Sequence, residues 1–185
     1  MKSSPGKREA ILAAAQTLFL KHGLRGTSME AIAREAGIAK PTLYAYFPDK
    51  AAIFSTLLEQ LIATWRQDFL IALRGEGDVT RRVGAALTAK YKGAMRLLAG
   101  SAHADELFGE GDRLAAGPLG ALDGELSAAL EAELDKAGVV RARLVTQLLL
   151  AAGYGIGHKA QSPAELGPAL RLLAERLIRP ELPPA

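Results

Sequence analysis

The chain has 185 residues, 23 Lys and Arg against 20 Asp and Glu, a formal net charge of +3 and no cysteine. Without cysteine it has no disulfide framework, thiol nucleophile, thiolate metal site or thiol redox sensor. Its 49% hydrophobic content suits a core-forming chain rather than a disordered one. The charge is unevenly spread. Residues 1–50 hold eight basic side chains (Lys2, Lys7, Arg8, Lys21, Arg25, Arg34, Lys40, Lys50) against four acids (Glu9, Glu30, Glu35, Asp49). The remaining 135 residues hold 15 basic and 16 acidic. A basic head that meets an anion, joined to a near-neutral body with another task, is the expectation.

Ile11, Ala15, Leu18 and Phe19 fall on one helical face, and Gly23 after Lys21-His22 stops that helix. Thr27-Ser28-Met29-Glu30 reads as a capping box with Thr27 at the N-cap, opening a short helix with Ile32, Ala33 and Ala36 inward. Gly37 ends it. Lys40-Pro41 starts the next, which runs through Phe47. Pro48-Asp49 breaks the chain, and Asp49 caps a fourth helix to about Leu73. Thr80 to Leu98 follow as a helix. Residues 99–120, interrupted by Gly100, Gly109, Gly111, Gly117 and Pro118, are expected to hold a short helix near His103–Phe108 and then a loop. Helices over Leu119–Lys136 and Arg141 to about Lys159 come next. Ser162-Pro163-Ala164-Glu165 reads as a second capping box, opening a helix with Leu166, Leu170, Leu173 and Leu177 in a stripe. The tail from Pro180 is expected to fray. No run of about 18 uncharged apolar residues is present, so no membrane span is expected. The start lacks a signal-peptide pattern, so a cytoplasmic protein is the default.

The informative stretch is Met29–Phe47, two short helices joined by a tight glycine-containing turn, the minimal helix-turn-helix. In that geometry the second helix enters the major groove and its first residues reach base edges. Leu43 and Phe47, four apart, pack inward, while Thr42, Ala45 and Tyr46 face outward with Lys40 at the start and Tyr44 at the side. Hydroxyls and an ammonium on that face suit phosphate or bases. The competing reading makes Tyr44 and Tyr46 the amphipathic rim of a core.

The run Gly26-Thr27-Ser28-Met29-Glu30-Ala31-Ile32-Ala33-Arg34-Glu35-Ala36-Gly37-Ile38-Ala39-Lys40-Pro41-Thr42-Leu43-Tyr44-Ala45-Tyr46-Phe47-Pro48-Asp49-Lys50 strongly resembles the DNA-binding head of the TetR (tetracycline-repressor-like) transcriptional regulators. The match spans roughly Lys7 to Phe54. The resemblance implies an all-α protein of about nine helices: a three-helix head over residues 1–50, and a helical effector-binding and dimerisation body over residues 51–185. It places Thr27 or Ser28 on a phosphate at the start of the second helix. It makes Lys40, Pro41 and Thr42 the groove-facing opening of the recognition helix. It sets Tyr44 on a phosphate or base methyl, Tyr46 on the backbone, and Lys50 as a phosphate-binding lysine. Ala39 stands where the family often has a capping Ser, and Ala45 offers at most an apolar contact with a thymine methyl. Direct base readout is therefore expected to be sparse.

Two heads must be held about one helical turn apart to read a palindrome. The 141–159 helix is apolar nearly all round and the last helix carries a leucine stripe. Leu144, Leu148, Ala152, Ile156, Leu166, Leu170, Leu173 and Leu177 are the expected homodimer interface, completion of one chain's core being the alternative. The middle helices are expected to enclose a pocket for a hydrophobic or aromatic effector. Its candidate lining is Trp65, Phe69, Leu73, Tyr91, Met95, His103, Phe108 and Leu114. Asp105 and Tyr154 are further polar candidates. Gly153-Tyr154-Gly155-Ile156-Gly157 has the wrong spacing and no preceding strand for a nucleotide loop. His22, His103 and His158 are too dispersed for a metal site, no nucleophile–base set stands out, and no cofactor is implied. The expected protein is a dimeric, ligand-responsive regulator, not an enzyme. It binds a double-stranded DNA operator and a small-molecule effector without any membrane role. It is a repressor by preference, with an activator, an effector-free DNA-binding regulator, and a hydrophobic-ligand binder with a vestigial head as alternatives.

Overall fold

The computed structural model describes residues 5–98, 101–160 and 162–183. Among these the chain is helical throughout: α1 (Pro5–His22), α2 (Met29–Glu35), α3 (Lys40–Tyr46), α4 (Lys50–Leu73), α5 (Val79–Leu98), α6 (Ala104–Lys136), α7 (Ala142–Lys159) and α8 (Pro163–Ile178), closed by a 3-10 turn over Arg179–Glu181. The fold is the expected all-α one, with several local differences. Residues 104–136 form one helix, not a short helix, a loop and a second helix. Each interior glycine costs a helix only about 1 kcal/mol. The Ala- and Leu-rich sequence on both sides, anchored by buried Leu107 at one end and Leu122, Leu126, Leu130 and Leu134 at the other, carries the helix through.

The caps also differ. Ser28, not Thr27, is the N-cap of α2, its Oγ accepting from the Ala31 N–H at 3.1 Å. Ser162 occupies the N-cap of α8 but makes no side-chain cap bond. Asp49 caps α4 as expected, accepting from Ala52 N at 2.8 Å. The tail is tied rather than frayed: Val140 N donates to the Glu181 carbonyl at 3.0 Å, and Arg141 Nε donates to the Glu181 carboxylate at 2.9 Å. That guanidinium lowers the Glu181 pKa below the ordinary carboxylate value.

The chain divides into two compact units. The first holds residues through Leu61 together with Leu98–Leu119, and the second holds Ile62–Leu97 and the chain from Gly120. The first unit thus reaches beyond the expected boundary at residue 50 and takes in the start of α6. α4 and α6 each contribute residues to both units.

In the first unit, Ile11, Leu12, Ala15 and Phe19 of α1 meet Met29, Ile32 and Ala33 of α2. Leu43, Phe47, Ile53, Phe54 and Leu107 complete the same core. Phe19 and Phe54 meet edge to face, ring centroids 5.8 Å apart. The turn between α2 and α3 is closed by two backbone bonds, Ile38 N to Ala33 O (3.0 Å) and Gly37 N to Arg34 O (3.2 Å), with Gly37 at φ +66°. This is the left-handed helix stop that glycine alone adopts without cost.

In the second unit, the leucine row of α6 joins Phe69 and Leu73 of α4, Val83 and Leu87 of α5, Val145 and Leu149 of α7 and Leu166 and Leu170 of α8 as buried residues. Arg82 ties three segments: its guanidinium donates to Leu73 O (3.1 Å), Gly77 O (2.8 Å) and the Glu133 carboxylate (3.1 Å). No helix among the described residues is long and apolar enough to cross a membrane.

A Cβ at Gly26 overlaps the His22 carbonyl oxygen, whereas one at Gly124 meets nothing within 4 Å. Gly26→Ala should therefore destabilise the protein by roughly 1–3 kcal/mol. Gly124→Ala, inside α6, should stabilise it by about 0.5–1 kcal/mol. Denaturant titrations of the two variants read both signs.

Candidate nucleic-acid interface

The α2–turn–α3 element presents α3 outward from a firm support. Leu43 and Phe47 are buried in the head core as the spacing requires. Pro41 and Ala45 are exposed, Thr42 is half-buried and Tyr44 is 45% exposed. Tyr46 is half-buried and packs against the core, so it belongs to the rim more than to the outer face. Pro41 sits in the first turn of α3 and Ala39 occupies its N-cap without a side-chain bond. The first-turn amides of α3 thus have no side-chain cap from Ala39.

The two phosphate candidates at the start of α2 separate. Thr27 is only 3% exposed, and its hydroxyl donates to Gly23 O at 2.7 Å, with Leu18 O at 3.3 Å. It is a structural residue of the head. Ser28 is the exposed one.

Lys50 also departs from expectation. Its ammonium donates to Leu24 O (2.7 Å), Thr27 O (3.0 Å) and Arg25 O (3.3 Å). A lysine ammonium has three protons, and here three carbonyls of the α1–α2 connection take them. Lys50 fastens that connection to the start of α4; its donors are not turned to a phosphate.

Lys40, at the opening of α3, forms an ion pair with Glu30 of α2, and its Nζ lies 5.8 Å from the Tyr44 ring centre. The Lys40 hydrogen bond, then its own backbone hydrogen bond and the Lys40 charge, hold the Glu30 pKa below the usual carboxylate value. The same partner raises that of Lys40. Arg8 of α1 stacks over Phe47, 5.4 Å from its centre.

The start of α6 docks onto the α1–α2 connection. Ser101 Oγ donates to Leu20 O at 2.7 Å and Arg25 N donates to Glu106 Oε1 at 2.8 Å. A Cβ at Gly23 overlaps the Glu106 carboxylate and lies 2.9 Å from His103 Nδ1. His103 and Glu106 are 3.6 Å apart. His103 therefore belongs with the head, not with the other pocket candidates. Neither Ser101 nor Glu106 is marked by periodicity or motif; each meets the head some 81 residues away in sequence.

The remaining pocket candidates split. Trp65, Phe69, Leu73, Tyr91 and Met95 belong to the second unit; the side chains of Phe108 and Leu114 lie outside the described residues. Phe69 and Leu73 are plain core. The Tyr91 ring fills a slot on α7 made by two glycines four apart: a Cβ at Gly153 lies 2.9 Å from the ring and one at Gly157 lies 2.8 Å from it. The phenol donates to Leu150 O at 3.2 Å, and burial raises its pKa. Trp65 lies as closely over Gly93.

On the last two helices, Leu166 and Leu170 are wholly buried within the chain's own core, correcting their place in the interface. Leu173, Leu177, Ala152 and Ile156 are half-buried. Leu144 and Leu148 are each 45% exposed. Tyr154 and Leu172, absent from the expected set, are more exposed still. A surface groove between α7 and α8 is lined by Ala152, Gly155, Ile156, Lys159, Glu165 and Ala169.

Fold and exposed α3 together define the class of helix-turn-helix proteins. Residues 11–57 match the family model described as bacterial regulatory proteins, tetR family. The HTH-type transcriptional regulator RutR of Escherichia coli (strain K12) is 40% identical over 70 residues, 34% of this chain and 33% of that protein. The chain thus spans about a third of the length of the curated relatives it matches. A TetR/AcrR family transcriptional regulator of Thermobifida fusca superposes with a TM-score of 0.71 at 20% identity, over 90% of this chain and 95% of that one. A transcriptional regulator of Rhodococcus sp. Rha1 superposes with 0.69 at 23% identity, over 96% and 99%. Residues 11–57 thus match the tetR model, and the chain as a whole has the fold of these regulators.

Lys50→Met should leave three carbonyls of the α1–α2 connection without their donor and destabilise the protein by about 2 kcal/mol. A thermal or denaturant melt indistinguishable from the parent's would return the ammonium to solvent and to a phosphate role.

Proposed function

We propose that the protein is a homodimeric DNA-binding transcriptional regulator: a repressor that leaves a palindromic operator when a hydrophobic or aromatic small molecule binds its helical body. The observation that carries the reading is the outward face of α3. Pro41, Thr42, Tyr44 and Ala45 stand on a buried three-helix core, within the stretch that matches the tetR model. In a groove, those side chains would supply base and methyl contacts. Ser28 and Lys40 would supply phosphate contacts that set register.

The dimer reading rests on α7 and α8. Leu144, Leu148, Tyr154 and Leu172 are large apolar or aromatic side chains left exposed on these two helices. A second copy, related by a two-fold axis, presents the same surface to them. Ala151, Ala152 and Gly155 keep the α7 backbone accessible to close approach. This places two heads on two half-sites, and affinity then depends on both engaging together.

Effector response is supported by continuity. α4 and α6 both run from one compact unit into the other. The first turn of α6 grips the α1–α2 connection through Glu106, with Ser101 beside it. A ligand that shifts α6 or α4 changes the head, provided it binds the released arrangement more tightly than the operator-bound one. Trp65, Tyr91 and Met95 are the residues through which an apolar ligand would enter, displacing the Tyr91 ring from its slot. A regulator without an effector is the second reading, favoured by the close fit of Tyr91 against Gly153 and Gly157.

Selection of duplexes from a random pool, followed by titration of the enriched sequence, tests the DNA reading directly. An enriched palindrome is expected; no enrichment at low salt would remove the reading. On that sequence Tyr44→Ala should weaken binding by roughly 1–3 kcal/mol, about ten- to a hundredfold. Leu148→Glu with Leu172→Glu should convert the dimer to monomer in sedimentation at micromolar concentration while the helix content stays unchanged. Screening apolar ligands for operator release then separates the effector-responsive regulator from the effector-free one.

A further inference from the structure

We propose that Glu30 is an electrostatic brake on DNA binding that acts through Lys40. The inference rests on the DNA-binding reading above and adds to it a residue that no groove contact requires.

α3, Lys40–Tyr46, carries a single charged side chain, Lys40. That ammonium is bound by the Glu30 carboxylate across the helix-turn-helix turn, with the two side chains 53% and 54% exposed. Lys40 also lies against the exposed ring of Tyr44. Glu30, Lys40 and Tyr44 therefore make one continuous outer surface at the opening of the candidate recognition helix. Two other cations of the head have partners of their own: Lys50 is turned into three carbonyls, and Arg8 is stacked on Phe47. The Lys40–Glu30 pair therefore adds no net charge to the opening of α3, although the first 50 residues carry an excess of basic side chains.

Glu30 also accepts from its own backbone N–H and from Ser28 at the start of α2, so Lys40 is one of several local partners. The α2 N-cap is Ser28, which accepts from Ala31 N. An exposed ion pair is held by about 0–1 kcal/mol, so Lys40 exchanges Glu30 for a phosphate readily. The freed carboxylate, however, takes up a counterion of its own, which offsets the one that Lys40 releases from the DNA. Non-specific binding is almost wholly electrostatic. A lysine that arrives with its own carboxylate adds no net cation to that term. The groove-facing Thr42, Tyr44 and Ala45 then carry a larger share of the discrimination.

The test uses the full-length protein and a heterogeneous-sequence duplex, with the parent, Glu30→Gln, Lys40→Gln and the double variant. Affinity is followed by fluorescence anisotropy between about 50 and 200 mM salt. Glu30→Gln should tighten binding roughly five- to tenfold per engaged head near 100 mM salt and steepen the log–log salt slope by about one per head. Lys40→Gln should weaken binding, and the double variant should match Lys40→Gln. Glu30→Ala, with a different side-chain shape, should tighten binding in the same direction as Glu30→Gln. Parent-like affinity and slope in both Glu30 variants, with unchanged melts, would overturn the brake. Tightening that persists in the double variant would overturn its route through Lys40. A parent protein that binds no duplex at the lowest salt would instead overturn the DNA-binding reading, an outcome visible before any variant is compared.

Discussion

The connection between α1 and α2, residues 23–28, is not helical, and side chains of α4, of α6 and of the connection itself reach into it for different polar groups. The Thr27 hydroxyl bonds Gly23 O. The Lys50 ammonium, from the first residue of α4, gathers the carbonyls of Leu24, Arg25 and Thr27. Glu106 of α6 takes the Arg25 amide, and Gly23 leaves room for its carboxylate. Buried or half-buried backbone groups need partners. The helix-turn-helix can stand rigidly only because these side chains supply them. The same bonds make the connection the place where α4 and α6 meet the head.

This arrangement changes how the charge of the head is understood. A basic N-terminal quarter suggests ammonium groups aimed at an anion, but two of its lysines are spent inside the protein's own structure. Lys50 is a structural cross-link and Lys40 is balanced by Glu30. What the outer face of α3 offers is a phenol, a hydroxyl and two small or rigid residues. Such a face favours shape and hydrogen bonding over bulk electrostatics. It suits a binder that must ignore most of the DNA it meets.

The second unit is organised by small residues that let large ones approach the backbone. Gly153 and Gly157 receive Tyr91, and Gly93 receives Trp65. These aromatic side chains are placed by missing Cβ atoms across a helix pair, an arrangement more exacting than a generic apolar contact. The leucine rows divide by rotation about each helix axis. Leu149, Leu166 and Leu170 turn inward, while Leu144, Leu148 and Leu172 remain at the surface.

The sequence by itself determined the all-α class, the three helices of the head, the inward turn of Leu43 and Phe47 and the glycine stop at Gly37. Those follow from local periodicity, capping chemistry and φ preference, which a short window of residues contains. It also marked α7 and α8 as strongly apolar helices. The tertiary structure alone decided which leucines of those helices are core, that α6 runs unbroken from Ala104, and that Lys50, Thr27 and Glu30 serve internal bonds. Each of those outcomes depends on a partner far away in sequence or across a turn. Neither the hydrophobic period of a helix nor the identity of a charged residue records which distant carbonyl or carboxylate will meet it.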